Sequence, residues 1–159
     1  MSVIDTLVTD RTEADVSRHR ELTDKGWAGM TAAEKAEWLA GMKGAYNPNP
    51  DMNRVASAMS YLSQRFASAG YSVPVSSPTD WANGDIPRKD DLDTYLDDLR
   101  RIRAALAVMD TTPAAPESMD YLTWAKANDI EKILVDVDDA LGRLLLSPFY
   151  SGEIYTGEV

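Results

Sequence analysis

Residues 51–66 read DMNRVASAMSYLSQRF. Met52, Val55, Met59, Leu62 and Phe66 recur at alternating intervals of three and four residues. That interval follows one face of an α-helix and rules out the two-residue alternation of a strand. Asn49 can cap this helix with Pro50 at its first position, and Gly70 can close it in a left-handed conformation. A single unbroken apolar stripe of this kind needs other helices to cover it.

Working outward, two earlier helices are expected. Thr12 and Asp15 form a capping box, so a helix runs from about Thr12 to Lys25 and stops at Gly26. Its apolar face is thin: Val16, Leu22 and His19 at the margin. Thr31 and Glu34 form a second capping box, opening a helix to about Lys43 that ends at Gly44. Trp38, Leu39 and Met42 are its expected buried face. Ahead of both, Val3–Val8 reads as a short extended arm.

Downstream, Tyr71–Val75 alternates, but Pro74 lacks an amide donor, so it suits an edge strand or an extended linker. Residues 76–88 are rich in Ser, Pro, Asp and Gly and mark a linker. A fourth helix is expected from Lys89 to about Met109, striped by Leu92, Leu96, Leu99, Ile102 and Leu106. Asp97 and Arg101 stand four apart in the favourable acid-first order. After a proline-bearing loop at 110–120, Thr123 caps a fifth helix reaching about Leu146, striped by Ile130, Leu134, Val137, Leu141 and Leu144. Two long amphipathic helices joined this way predict an antiparallel hairpin. Pro148 ends the helical part. Beyond it, Tyr150–Glu153 is echoed by Tyr155–Glu158 in an aromatic, β-favouring tail.

The expected architecture is therefore mainly α, with about five helices. Residues 1–75 make an N-terminal three-helix part, 76–88 a linker, 89–147 a helical hairpin and 148–159 an extended tail; one compact domain remains an alternative grouping.

Composition narrows function. The chain has 159 residues and a net charge of −10, a field that repels nucleic acid. It has no cysteine, which removes disulfides, thiolate metal sites and cysteine nucleophiles. The N-terminus does not read as a signal peptide, and no run of apolar residues is long enough to span a membrane. His19 is the single histidine, set between Arg18 and Arg20 without a nucleophile turn nearby, so it reads as a surface or boundary residue. The aspartates at 90, 91, 93, 97 and 98, and at 136, 138 and 139, fall inside predicted helices and read as solvated faces, since a calcium loop needs a tight glycine turn. Trp38 reads as packing, and Trp27 and Trp124 as staples beside helix starts. Trp81, in the polar linker, is the tryptophan expected to meet a partner. No Gly-rich phosphate loop, zinc spacing or zincin helix occurs. No catalytic residue, cofactor or metal is expected.

The strings DRTEADV (residues 10–16), KGWAGMTAAEKAEWLAGMKGAYN (25–47) and DMNRVASAMSYL (51–62), with the ending FYSGEIYTGEV (149–159), resemble small proteins and domains from the tail modules of phages and prophages of Gram-positive gut bacteria. The segment Pro48–Pro50 departs from that pattern. The resemblance implies a virion structural protein of the tail or baseplate, made in the host cytoplasm and assembling as a homo- or hetero-oligomer. Its expected partner-binding residues are Trp81, Phe149, Tyr150, Ile154, Tyr155 and Val159. The alternatives are a module that binds host-surface carbohydrate and, behind it, a tail-associated wall hydrolase.

Overall fold

The computed structural model describes residues 1–146. It is mainly helical, with five α-helices and no strand among the described residues: α1 Glu13–Gly29, α2 Ala32–Ala40, α3 Asn53–Ser68, α4 Lys89–Ala104 and α5 Trp124–Leu146. A 3-10 turn at Val3–Thr6 precedes them, and a wide turn at Pro48–Met52 leads into α3. The C-terminal tail lies outside the described residues, and Tyr71–Val75 is an extended linker.

All five stripe residues of 51–66 are buried. They meet Tyr95, Leu96, Leu99 and Ile102 of α4 and Ile130, Ile133, Leu134, Val137 and Leu141 of α5 in one cluster. The core is thus a three-helix body in which α3 joins α4 and α5, instead of closing a bundle with α1 and α2.

The three core helices run in the same direction. Arg54 and Arg65 near opposite ends of α3 pair with Glu131 and Asp138 of α5 in that order. Each return crossing is made by extended chain. After α3, the Val73 carbonyl accepts from Ser63, while the Trp81 backbone meets Asn53 a helix length away. After α4, Arg103 donates to the carbonyls of Thr112 and Pro113, and Arg100 to those of Pro116 and Glu117. The chain therefore travels back along α4 before α5 starts, and Leu106 ends beside Ala140 and Leu144.

The expected antiparallel hairpin is corrected accordingly. Helix α4 stops at Ala104, five residues short of the expected Met109, so residues 105–123 are free to connect. A sixteen-residue helix is about 24 Å long, a span that about seven extended residues cover. Parallel packing adds the helix dipoles, leaving positive charge at one pole and negative at the other. The sequence offsets the negative pole with arginine in the last turn of each: Arg65, Arg101 with Arg103, and Arg143.

The α1–α2 pair is a satellite. Both capping boxes form as expected, and Gly26 breaks α1 with φ 69°. Ion pairs Arg18–Glu37 and Lys25–Glu34 bridge the two helices at 2.8 and 2.6 Å. The expected buried face of α2 is corrected: Trp38 and Met42 are half-buried and Leu39 is 75% exposed. The reason is that α3 spends its stripe on α4 and α5, leaving α2 only α1 to pack on. Helix α2 also ends earlier than expected, at Gly41, whose φ of 92° supplies the left-handed turn. Gly44 has a different role. A Cβ there would sit 2.1 Å from the Asp15 carbonyl oxygen, so only glycine lets this loop touch the start of α1.

The expected N-terminal arm is also corrected. Ser2 and Asp5 cap a 3-10 turn, Ile4 is buried in the main core, and the Val8 amide donates to Glu131 at 2.6 Å. This segment belongs to the body.

Candidate functional site

The most organised polar group lies at the pole where the core helices begin. Arg11, buried, donates from Nη2 to Glu131 at 2.7 Å, from Nη1 to the Val8 carbonyl at 2.8 Å and from Nε to the Lys43 carbonyl at 3.1 Å. Arg54 grips both oxygens of Glu131 at 3.1 and 2.8 Å and reaches Asp51 at 2.8 Å. Asp51 in turn accepts from the Asn47 amide at 2.8 Å, closing the turn into α3. Asn128 brackets the Arg11 backbone, accepting from its amide and donating to its carbonyl, both at 2.9 Å. The Arg11 guanidinium lies 5.4 Å above the Tyr46 ring, and the Tyr46 hydroxyl shares a 2.5 Å hydrogen bond with Tyr95. Burial pushes both phenols above their ordinary pKa, so they stay neutral and hydrogen-bonded.

This cluster has two arginines and two carboxylates, balanced in charge. Among the described residues, every buried side-chain nitrogen and oxygen finds a hydrogen-bond partner. A general base or nucleophile needs a group left available to a substrate; here each charged group is consumed by fastening separate chain segments.

A recess of about 520 Å³ opens above the cluster, with Asp51 and Arg54 on one wall and His19, Trp38 and Met42 on the other. His19 stacks on Trp38 with ring centroids 5.3 Å apart. No described group of three or more His, Cys, Asp or Glu side chains is placed to hold a metal ion, and no described helix is long and apolar enough to cross a membrane.

The aspartate-rich face of α4 differs from expectation at one position. Asp98 is buried, accepting from the Ser76 and Ser77 amides at 2.8 Å each and from the Ser77 hydroxyl at 2.7 Å, with Arg101 at 2.9 Å. It pins the linker to the body. Arg101 therefore pairs with Asp98, and Arg100 takes Asp97.

Of the six residues expected to bind a partner, Trp81 is half-buried against the core, and Asn53 holds its amide and carbonyl at 2.9 Å each. Phe149, Tyr150, Ile154, Tyr155 and Val159 lie outside the described residues. Trp124 donates to Glu13 at 2.9 Å, and Lys35 lies over the Trp27 ring at 5.2 Å.

The opposite pole is mixed, with Asp136, Asp139 and Arg143 beside apolar side chains. Leu106, Ala107, Met109, Ala140 and Leu144 line a recess of about 340 Å³ between the ends of α4 and α5. Met109 is 57% exposed, and Leu146, where the description ends, is 71% exposed.

Glu131 and Asp98 were missed by the sequence reading although spacing carried a signal. Glu131 stands three residues before Leu134 and four after Ala127, on the buried face; Asp98 stands three after Tyr95 and four before Ile102. Arg11 had no such signal. In comparison with known proteins, no family model matches the chain, and neither a curated protein nor a solved structure matches it.

Proposed function

We propose that this chain is a non-enzymatic structural subunit of a phage tail or baseplate, docking onto neighbouring tail proteins through the pole where α4 and α5 end. The phage assignment rests on the resemblance of residues 10–16, 25–47, 51–62 and 149–159 to tail-module proteins. The observation that carries the docking role is the exposure of Met109 and Leu146 at that pole, with Met109 in a recess where Leu106, Ala107, Ala140 and Leu144 are rimmed by Asp136, Asp139 and Arg143. Exposed apolar surface of this kind marks interaction sites. The charged cluster at the other pole supports a scaffold role, since its groups are spent on internal ties.

Because the N-terminal segment is part of the body, docking through termini narrows to the C-terminal side. The test is assembly of particles from the tail genes with this chain truncated after Ser147. A folded, helical subunit missing from purified particles is the expected result; incorporation at the full-length level overturns the proposal. Clearing of Gram-positive walls in a zymogram would overturn the non-enzymatic part.

A further inference from the structure

We propose that the recess of about 520 Å³ between α2 and the turn into α3 is a binding site for a neutral saccharide. Its walls belong to two parts of the fold. The satellite supplies Trp38, Leu39 and Met42, and the body supplies Asn49, Asp51 and Asn83, with Asn47 at the end of the connecting loop. A pyranose ring has an apolar C–H face and a rim of hydroxyl groups, each able to donate and to accept. An aromatic and aliphatic wall opposite a polar one suits that shape. The volume falls in the range of small-molecule sites, which favour junctions between parts of a fold.

Charge argues against an anion. Arg11, Lys43, Asp51 and Arg54 all border the recess, and each is already engaged. Glu131 and Asp51 hold the two arginines, and Lys43 lies 2.5 Å from Asp10. Two arginines balance two carboxylates and the lysine balances its aspartate, so little net field remains to draw a charged ligand. The polar groups without partners are the uncharged ones. Among the described residues, the Asn47 side chain and the Trp38 indole N–H make no hydrogen bond. Asn83 accepts from Asn49 at 2.9 Å through its Oδ1, while its own Nδ2 has no partner. Hydroxyl groups can satisfy such neutral donors and acceptors without carrying charge into the recess. Trp38 is also held in advance, because His19 stacks on it with 13° between the ring planes, and a preset ring lowers the ordering cost of binding. The inference goes beyond the docking role and does not depend on it, since the recess lies at the other pole.

The test is a heteronuclear correlation titration of the full chain with glucose, galactose and N-acetylglucosamine, and separately with glucuronate and inorganic phosphate. With at least one neutral sugar, the expected result is saturable shifts in the millimolar range at the Trp38 indole and the Asn47 and Asn83 side-chain amides. The Trp81 and Trp124 indoles should stay in place. Asn83→Ala changes an exposed loop residue and should weaken that binding about two- to tenfold, the loss of one hydrogen bond, with the rest of the spectrum unchanged. No saturable shift with any of the three sugars overturns the proposal. Stronger binding of glucuronate or phosphate also overturns it, making the recess an anion site. Shifts centred on Trp81 or Trp124 place the sugar elsewhere and overturn it too, as does binding that neither Asn83→Ala nor Asn47→Ala weakens. Particle incorporation of the chain truncated after Ser147 is indifferent to each of these results, so the two proposals fail separately.

Discussion

Arg11 and Glu131 stand 120 positions apart in the chain, yet Nη2 of one lies 2.7 Å from Oε1 of the other with both side chains out of solvent. This contact ties the segment before α1 to the N-terminal part of α5. Through Arg54 and Asp51 it also fixes the turn that starts α3.

Removing one partner from such a cluster leaves a desolvated charge behind. Glu131→Ala strands two arginines and the Val8 amide, and is expected to cost roughly 3–5 kcal/mol in urea unfolding. Arg11→Ala should cost a similar amount. The double variant should fall short of the sum, with a coupling of about 0.5–3 kcal/mol. Additive losses would mean that the two side chains act independently.

Asp98 predicts a local phenotype. Asp98→Ala removes the acceptor for two amides and a hydroxyl of the linker and the partner of Arg101. The expected loss is about 2–3 kcal/mol, as for hydrogen bonds to a charged group. Limited proteolysis should then cut within 76–88, while the wild type resists there. Cleavage elsewhere first would show that the linker has other anchors of equal weight.

These two carboxylates also show where legibility in the sequence stops. The α3 stripe, both threonine capping boxes and the Gly26 and Gly70 stops were readable because helix period and cap chemistry are local. The stripe of α5 was readable for the same reason. Which helix covers which was not local: Leu39 carries the same helical spacing as a core residue, and only the commitment of α3 to α4 and α5 leaves it in water. Helix direction was misread because the connection after α4 looked like a hairpin loop. Its return path depends on Arg100 and Arg103 reaching carbonyls of residues 112, 113, 116 and 117. Of the candidate site, Trp81 was readable as a special residue of the linker, but its fixing by Asn53 was not.

The contrast between the core and the satellite is testable with leucine. Leu134→Ala empties a fully buried position and should cost about 2–5 kcal/mol. Leu39→Asp changes a position 75% exposed and should stay within about 0.5 kcal/mol of wild type. A large loss at Leu39, read as a lowered urea midpoint, would mean that α2 is packed more tightly than its exposure indicates.

Acid should loosen the satellite before the core. Glu34 accepts from Lys25 at 2.6 Å and from the Thr31 amide at 2.8 Å, and these contacts, the lysine first, lower its pKa to about 2. A carboxyl depressed in the folded state stabilises fully above its unfolded pKa of about 4.5 and loses that contribution as pH falls toward 2. Glu37, lowered by Arg18, adds in the same direction. Amide protection in 13–40, measured relative to the intrinsic exchange rate at each pH, should therefore fall between pH 4.5 and 2 ahead of the α3 core. Glu34→Gln should abolish most of that pH dependence, and an unchanged profile would remove Glu34 from its cause.

Two glycines separate backbone strain from close contact. Gly41→Ala places a Cβ in open space but keeps a φ of 92°, a cost of about 1 kcal/mol that falls on the end of α2 alone. Gly44→Ala drives a Cβ into the Asp15 carbonyl and the Val16 amide, so the loop and the start of α1 must move apart. That displacement should cost more, about 1–3 kcal/mol, and it should disturb Arg11 because the neighbouring Lys43 carbonyl accepts its Nε. In a heteronuclear correlation spectrum, the Gly44 variant should shift the Val8, Arg11 and Asn128 signals, and the Gly41 variant should leave them in place. If both variants perturb the same set, the contact between residue 44 and α1 is not what holds the satellite against the body.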